Sequence, residues 1–389
     1  MKVRLSLFLA ASSVALAALP AFTARLPRYG GTLTMDIGAA VMSTDPSAAP
    51  ANSDDADAKE QIDGLIYAHR SADGTFADPG PFRVRSFTPG HEAVLAANEQ
   101  FEGGRPFLDT IQIEMGRPLQ DRLIDLQLGK ADLAEIPADQ ARRAVESGIR
   151  ISRSRPDELI ALVFDSKRAA TNDAHVRKAI ALTIDRGAIV NFILQKTGEP
   201  AGGLLPQWSS GTSFLFSTAD DPVQSRQLWS EVAARPTISV GYDSGDSLAR
   251  AIAERLEVNA QEAGISMKVR ALSTDAATHS SIDARVMRLR MPVPIPQAAL
   301  AHFLDVLNPL AELDVSASAL ENSPDAQQIY DTEAAIIDSY SVVPIAWIPR
   351  VFGLSGRVRN WNTPGPGGGW PLANVWLDNT DVESKKGSS

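Results

Sequence analysis

The chain has 389 residues, of which 44% are hydrophobic and 22% charged, a globular mixture long enough for two domains or one large composite one. Acidic residues outnumber basic ones, 47 to 37, and the formal net charge of −10 argues against nucleic acid as a partner. Cysteine is absent, which excludes disulfides, thiolate metal sites, Fe–S clusters, a thiol nucleophile and a lipid-modified N-terminal cysteine.

Lys2 and Arg4 precede an apolar run over 5–19, followed by Pro20, Ala21 and Ala24. This is the pattern of an export signal, residues 1–24, which would serve as a single membrane anchor if left uncleaved. Periplasmic location follows as the expectation. Gly30-Gly31-Thr32-Leu33-Thr34-Met35 predicts a short strand, and 47–58, rich in Ala, Ser, Asp and Pro, predicts a surface loop. Strands are predicted over 82–85, 93–96 and 110–115, and a helix over 119–128 capped by Gly129. The run 159–164 is continuously apolar, as in a strand buried on both faces. Asn172 or Asp173 caps a helix from Ala174, and Asp185 caps a second one over 186–195.

The most regular unit is 237–271. A strand over 237–242, the turn Asp243-Ser244-Gly245-Asp246, a helix with Leu248, Ile252 and Leu256 on one face, and a strand over 265–271 form a βαβ crossover with parallel strands. Three prolines over 292–296 exclude a central strand there. A helix over 327–339, an apolar strand over 342–348 and a loop over 365–369 follow, and the tail 381–389 is polar.

No motif for catalysis or metal binding emerges. The five histidines are scattered, and no nucleophile elbow, phosphate loop or dinucleotide fingerprint is present. Asp54, Asp55 and Asp57 lack the glycine and terminal glutamate of a calcium loop and read as a solvated acidic run. Arg285, Arg288 and Arg290 are denser positive charge than their acidic surroundings. No cofactor is expected and no enzyme activity is assigned. Trp347, Trp361, Trp370 and Trp376 read as core packing.

Several segments in order resemble one family. Gly30-Gly31-Thr32-Leu33 with Ser43-Thr44-Asp45-Pro46 resembles its GGTL strand and LDP turn. Gly80-Pro81-Phe82, Pro89-Gly90 and Gly103-Gly104-Arg105-Pro106-Phe107-Leu108-Asp109 are similar to its GPY and GGRPxLD runs. Leu128-Gly129-Lys130-Ala131-Asp132 and Val176-Arg177-Lys178-Ala179-Ile180-Ala181 with Ile184-Asp185-Arg186 complete the series, together with Leu204-Leu205-Pro206. The sequence thus resembles the extracellular solute-binding proteins of family 5, which serve peptide, oligopeptide and nickel ABC importers.

That resemblance implies an α/β, periplasmic-binding-protein-like fold (class II, cluster C type) with two lobes joined by crossover strands. The expected division is 25–157 plus 344–380 for lobe I and 158–343 for lobe II. Only 33 residues, 47–79, stand where full-length relatives place a smaller extra subdomain, so that subdomain is expected to be largely missing. The family's peptide amino terminus is received by an acid near 288–296, a stretch without a carboxylate here, and Asp165 stands where many relatives have asparagine.

The implied function is capture of a small solute, peptide-like or other, in the interlobe cleft and delivery to an ABC permease in the inner membrane. Asp45, Trp208, Arg290 and Met291 are the expected ligand-binding residues. Arginine in place of the acid favours an anionic or neutral ligand, and the bland alternative is that Arg290 faces solvent or pairs with a carboxylate of a lobe. A second reading is a degenerate solute-binding fold acting as an accessory subunit of an envelope or membrane complex, with protein subunits as partners. A secreted hydrolase ranks below both.

Overall fold

The computed structural model of the protein describes residues 26–50, 53–70, 76–211, 216–273, 281–315, 317–320 and 324–378. The expected export signal and the polar tail lie outside the described residues.

In chain order, β1 (Thr32–Asp36) leads to α1 (Ser53–Ile66), the hairpin β2 (Tyr67–Arg70) and β3 (Phe76–Pro79), then β4 (Phe82–Thr88), β5 (Glu92–Ala97) and β6 (Thr110–Glu114). Helix α2 (Leu119–Leu128), β7 (Leu133–Ile136) and α3 (Ala141–Glu146) precede the long β8 (Arg150–Phe164). After it come α4 (Ala174–Ala181), α5 (Arg186–Ala188), β9 (Glu199–Pro200), α6 (Gln207–Ser210), α7 (Pro222–Glu231), β10 (Ile238–Asp243), α8 (Ser247–Glu262), β11 (Met267–Leu272) and β12 (Ala284–Arg290). Helices Pro296–Ala311 and Ala326–Asp338 lead into the second long strand, β13 (Val342–Leu354), with β14 (Val358–Arg359) and β15 (Trp376–Leu377) beyond it.

The loop expected over 47–58 is corrected: α1 begins within it. Asp54 and Asp55 occupy its first turn, where the helix dipole favours negative charge. Ala58, Ile62 and Leu65 recur at helical spacing and are all buried. The Pro79-Gly80-Pro81 turn docks on the end of this helix. The Gly80 amide donates to the Ile66 carbonyl at 2.6 Å, and a side chain at Gly80 would meet the backbone of residues 65–67. The helix expected over 186–195 is also revised. Asp185 caps it as anticipated, accepting from Ala188 N at 2.7 Å, but the chain widens into a π turn over Ile189–Ile193.

The main sheet runs β11-β10-β12-β8-β13-β7-β1-β6-β5-β4, with β9 added on β13. Strands β10 and β11 are parallel neighbours around α8, the predicted crossover. Strands β8 and β13 are antiparallel and paired along nearly their whole length, Val342 opposite Val163 at one end and Leu354 opposite Arg150 at the other. Their two ends belong to different cores. On one side Leu33, Met35, Ile62, Phe82, Ile113, Phe352 and Trp370 pack together, and Leu123, Leu126, Ile136, Ile149 and Val351 form a companion layer. On the other side the faces of β8 separate by parity. Ile160, Leu162 and Phe164 join Ile180, Val240, Ile252 and Ile345, while Leu159, Ala161 and Val163 join Leu289, Leu300, Phe303 and Val342. Burial on both faces is why this run is apolar without alternation. The fold is therefore two α/β lobes joined by crossover strands. Trp347, Trp370 and Trp376 are buried, and Trp361 packs edge-on against Phe352.

Candidate functional site

Where β8 and β12 leave the second core, their register assembles a cluster of charges. Arg290 lies directly opposite Glu158 and Arg288 opposite Ile160, so both guanidinium groups, two residues apart, share the face of Glu158. Arg288 Nε meets Glu158 Oε1 at 2.8 Å, and its Nη2 donates to Oε2 at 3.0 Å. Arg290 Nη2 reaches the same Oε2 at 3.5 Å. Burial disfavours the Glu158 carboxylate, but the two arginines outweigh it and hold the carboxyl down at about 2.

Two further elements close around this pair. Asp246 caps α8 with Oδ1, accepting from Leu248 N and Ala249 N, and offers Oδ2 to Arg288 Nη1 at 3.2 Å. Helix α1 brings Asp57 into an ion pair with Arg290 Nη1 and Asp54 to 4.0 Å from Arg288 Nη1. Burial pushes the Asp57 carboxyl up to about 6 despite Arg290. Glu158 already neutralises much of the arginine charge, so Asp57 is the outer, weaker partner.

Beside this cluster, Asp157 on β8 is fully buried and binds Arg350 of β13, Nε to Oδ2 at 3.0 Å. On the first lobe, burial raises the Glu135 carboxyl, with the charges of Arg122 and Arg290 opposing. Near it Asp36, at the end of β1, is 2% exposed and has Oδ2 without a hydrogen bond. Burial pushes its carboxyl up to about 6.

The four expected ligand-binding residues fall in different settings. Arg290 lies in the cluster, paired with carboxylates from both lobes. Trp208, on α6, is half-buried beside it. Its Nε1 donates to the Pro156 carbonyl at 2.7 Å, and the Arg155 guanidinium lies 5.7 Å from the ring centroid. Met291 is 1% exposed, packed in the core beneath Trp208, and its amide donates to the Asp157 carbonyl at 2.9 Å. Asp45 is apart from them, in a turn where Oδ1 accepts from Ser47 N and Ser47 Oγ. The acidic run 54–57 is not a solvated loop: Asp55 accepts from Ala40 N at 2.7 Å, and Asp57 joins the arginines. No group of three or more metal-ligating side chains occurs among the described residues.

Sequence reasoning missed Glu158, Asp157, Arg350 and Asp246 as site residues, because strand register alone brings them together. It also missed Glu333, which is 2% exposed on the helix Ala326–Asp338 and accepts from Leu205 N at 2.9 Å, fixing the loop that leads to Trp208. Burial pushes its carboxyl up to about 7. The sharpest sequence motif has a structural use. Arg177 donates to the carbonyls of Thr171, Asn172 and Ser339, and Arg186 Nε to the Pro344 carbonyl on β13 at 2.8 Å.

The model of bacterial extracellular solute-binding proteins, family 5, matches residues 43–305, more than half of the chain. The chain belongs to this family. The probable D,D-dipeptide-binding periplasmic protein DdpA of Escherichia coli is 24% identical over 202 residues, covering 51% of this chain and 39% of the relative. The oligopeptide-binding protein AppA of Bacillus subtilis is 27% identical over 123 residues, covering 31% of this chain and 23% of the relative. The chain thus spans well under half the length of these curated family 5 relatives in the matched regions. Among solved structures, the periplasmic binding protein DppA of Helicobacter pylori, in complex with the peptide STSA, has a TM-score of 0.70 at 12% identity and covers 90% of this chain and 99% of that one. The ABC transporter substrate-binding protein CtaP of Listeria monocytogenes has a TM-score of 0.65 at 18% identity, covering 77% and 66%. These likenesses carry the family 5 fold. Among the described residues no helix is long and apolar enough to cross a membrane.

Proposed function

We propose that the protein is an exported, non-enzymatic solute-binding protein. It captures a small solute, peptide-like or other, between lobes comprising 25–157 plus 344–380 and 158–343. It delivers that solute to an ABC permease in the inner membrane. The match of residues 43–305 to the solute-binding family carries this reading. The physical logic is hinge closure: a cleft crossed by two strands shields a solute from water, and the closed form presents a surface for the membrane partner. Of the expected residues, Arg290 and Trp208 border the cleft in this reading, Met291 supports Trp208 from the core, and Asp45 holds its own turn. Residues 1–24 supply the export signal.

The second reading, an accessory subunit of an envelope complex, is favoured by one observation: α1 places Asp57 on Arg290, the residue expected to meet a solute. Thermal unfolding against a library of peptides, amino acids and metal chelates separates the two readings. A true solute present at about 100 times its Kd stabilises the native state by about 2.7 kcal/mol. Capture predicts at least one such hit, weakened by Trp208→Ala. No hit, together with a stable protein complex, supports the accessory role.

A further inference from the structure

We propose that helix α1 is a built-in clasp that holds the two lobes together across the cleft with no solute bound. The inference goes beyond solute capture and stands whichever solute the cleft takes.

Helix α1 belongs to the first lobe. Ala58, Ile62 and Leu65 are each at most 4% exposed in its core, and Asp55 fastens the first turn to Ala40 N at 2.7 Å. The acids on the neighbouring face leave that lobe. Asp57 pairs with Arg290, 233 positions away, and Asp54 approaches Arg288, both arginines belonging to β12 of the second lobe. One rigid helix is thus packed by its apolar stripe on one body and ion-paired by its acidic edge to the other.

A clasp must release as well as hold, and the charge arrangement allows it. Glu158 lies beneath both arginines, 8% exposed at its side chain, whereas the side chains of Asp57 and Asp54 are 34% and 64% exposed. Withdrawing α1 leaves Arg290 with Glu158, and Arg288 with Glu158 and Asp246, so no guanidinium is stranded in a dry interior. The lobes also touch at a second point. Gly367, at φ +65°, lies so close to the Pro292 carbonyl that any side chain there would collide with it. Arg350 Nη2 holds the adjoining loop through the Gly365 carbonyl at 2.5 Å. The clasp therefore works on lobes already brought to contact.

The absence of cysteine allows a direct test on the full chain. Spin labels at Arg143→Cys on α3 and Gln261→Cys on α8, both exposed, report the interlobe distance by double electron–electron resonance, with solute removed by mild denaturation and refolding. The clasp predicts one narrow distance in the otherwise unmodified chain. In Asp54→Asn/Asp57→Asn, which keeps side-chain volume, it predicts a shift toward longer, broader distances. An unchanged distribution in the variant, or a broad one in the parent, overturns the proposal. If the double variant does not fold, Asp57→Asn alone decides, since it removes the Asp57–Arg290 ion pair and leaves Asp54 in place. Lengthening supports the clasp and constancy refutes it. Because no solute is present, an open parent chain would leave the capture reading standing, and a library without hits would leave the clasp standing.

Discussion

Glu158 shows how a single residue can govern the site. It is buried between two arginines, and substitution by glutamine removes the shared counter-charge, which is expected to destabilise the fold by about 3 kcal/mol. Its carboxyl is held at about 2, against 4.5 when unperturbed, so its stabilising contribution is complete above pH 4.5 and is lost as pH falls toward 2. Urea unfolding at pH 7 and pH 3 should show the parent losing stability that Glu158→Gln does not lose. Glu333 has the opposite sign. Its carboxyl is raised from 4.5 to about 7, so its favourable contribution is present below pH 4.5 and disappears as pH rises to 7, a change of about 3 kcal/mol. Glu333→Gln retains an acceptor for Leu205 N and should be more stable than the parent at pH 8 but not at pH 4.5. Equal slopes in the two proteins would remove Glu333 from the account. The arginine cluster was legible as charge density in the sequence, but its partners were not. Glu158 lies 130 positions from Arg288 and is joined to it only by strand register.

At the scale of elements, local chemistry was read well where it was self-contained. The helix 119–128 ends at Gly129, which adopts φ 69° as a C-cap should, and the βαβ unit has the predicted parallel pairing and its Asp246 cap. Helix α1 was missed for a physical reason. Its composition is that of a loop, only three of its buried positions, Ala58, Ile62 and Leu65, are apolar, and its first-turn acids resemble a solvated run until the arginines are known. The apolar stretches 159–164 and 342–348 were read correctly as buried strands but too short. Their continuations over Arg150–Phe164 and Val342–Leu354 include polar or proline residues that pair in the first lobe. Caps remain the cleanest element-scale test. Asp325 forms a reciprocal capping box with Gln328 on the helix that carries Glu333. Asp325→Ala should cost about 1 kcal/mol in urea unfolding without altering the pH slope due to Glu333.

For the whole molecule, the hydrophobic pattern showed two buried strands, and only the family resemblance, recognisable from short motifs in order, made them the crossovers between two lobes. Those motifs mostly serve architecture. Arg177 ties backbone carbonyls of the second lobe, Arg186 ties the Pro344 carbonyl at the start of β13, and Asp109 Oδ2 receives the Gly31 amide at 3.2 Å. This is why the family could be named from the sequence while the ligand could not. In the segment between the Asp45 turn and β4, helix α1 brings Asp54 and Asp57 onto the arginines. Solute capture is the central claim, and native mass spectrometry of the protein purified gently from its own envelope fraction tests it most directly. The account predicts a monomer carrying a small solute that departs on mild denaturation, and a mass showing residues 1–24 removed. An uncleaved chain, empty of solute and held in a defined protein complex, would contradict it.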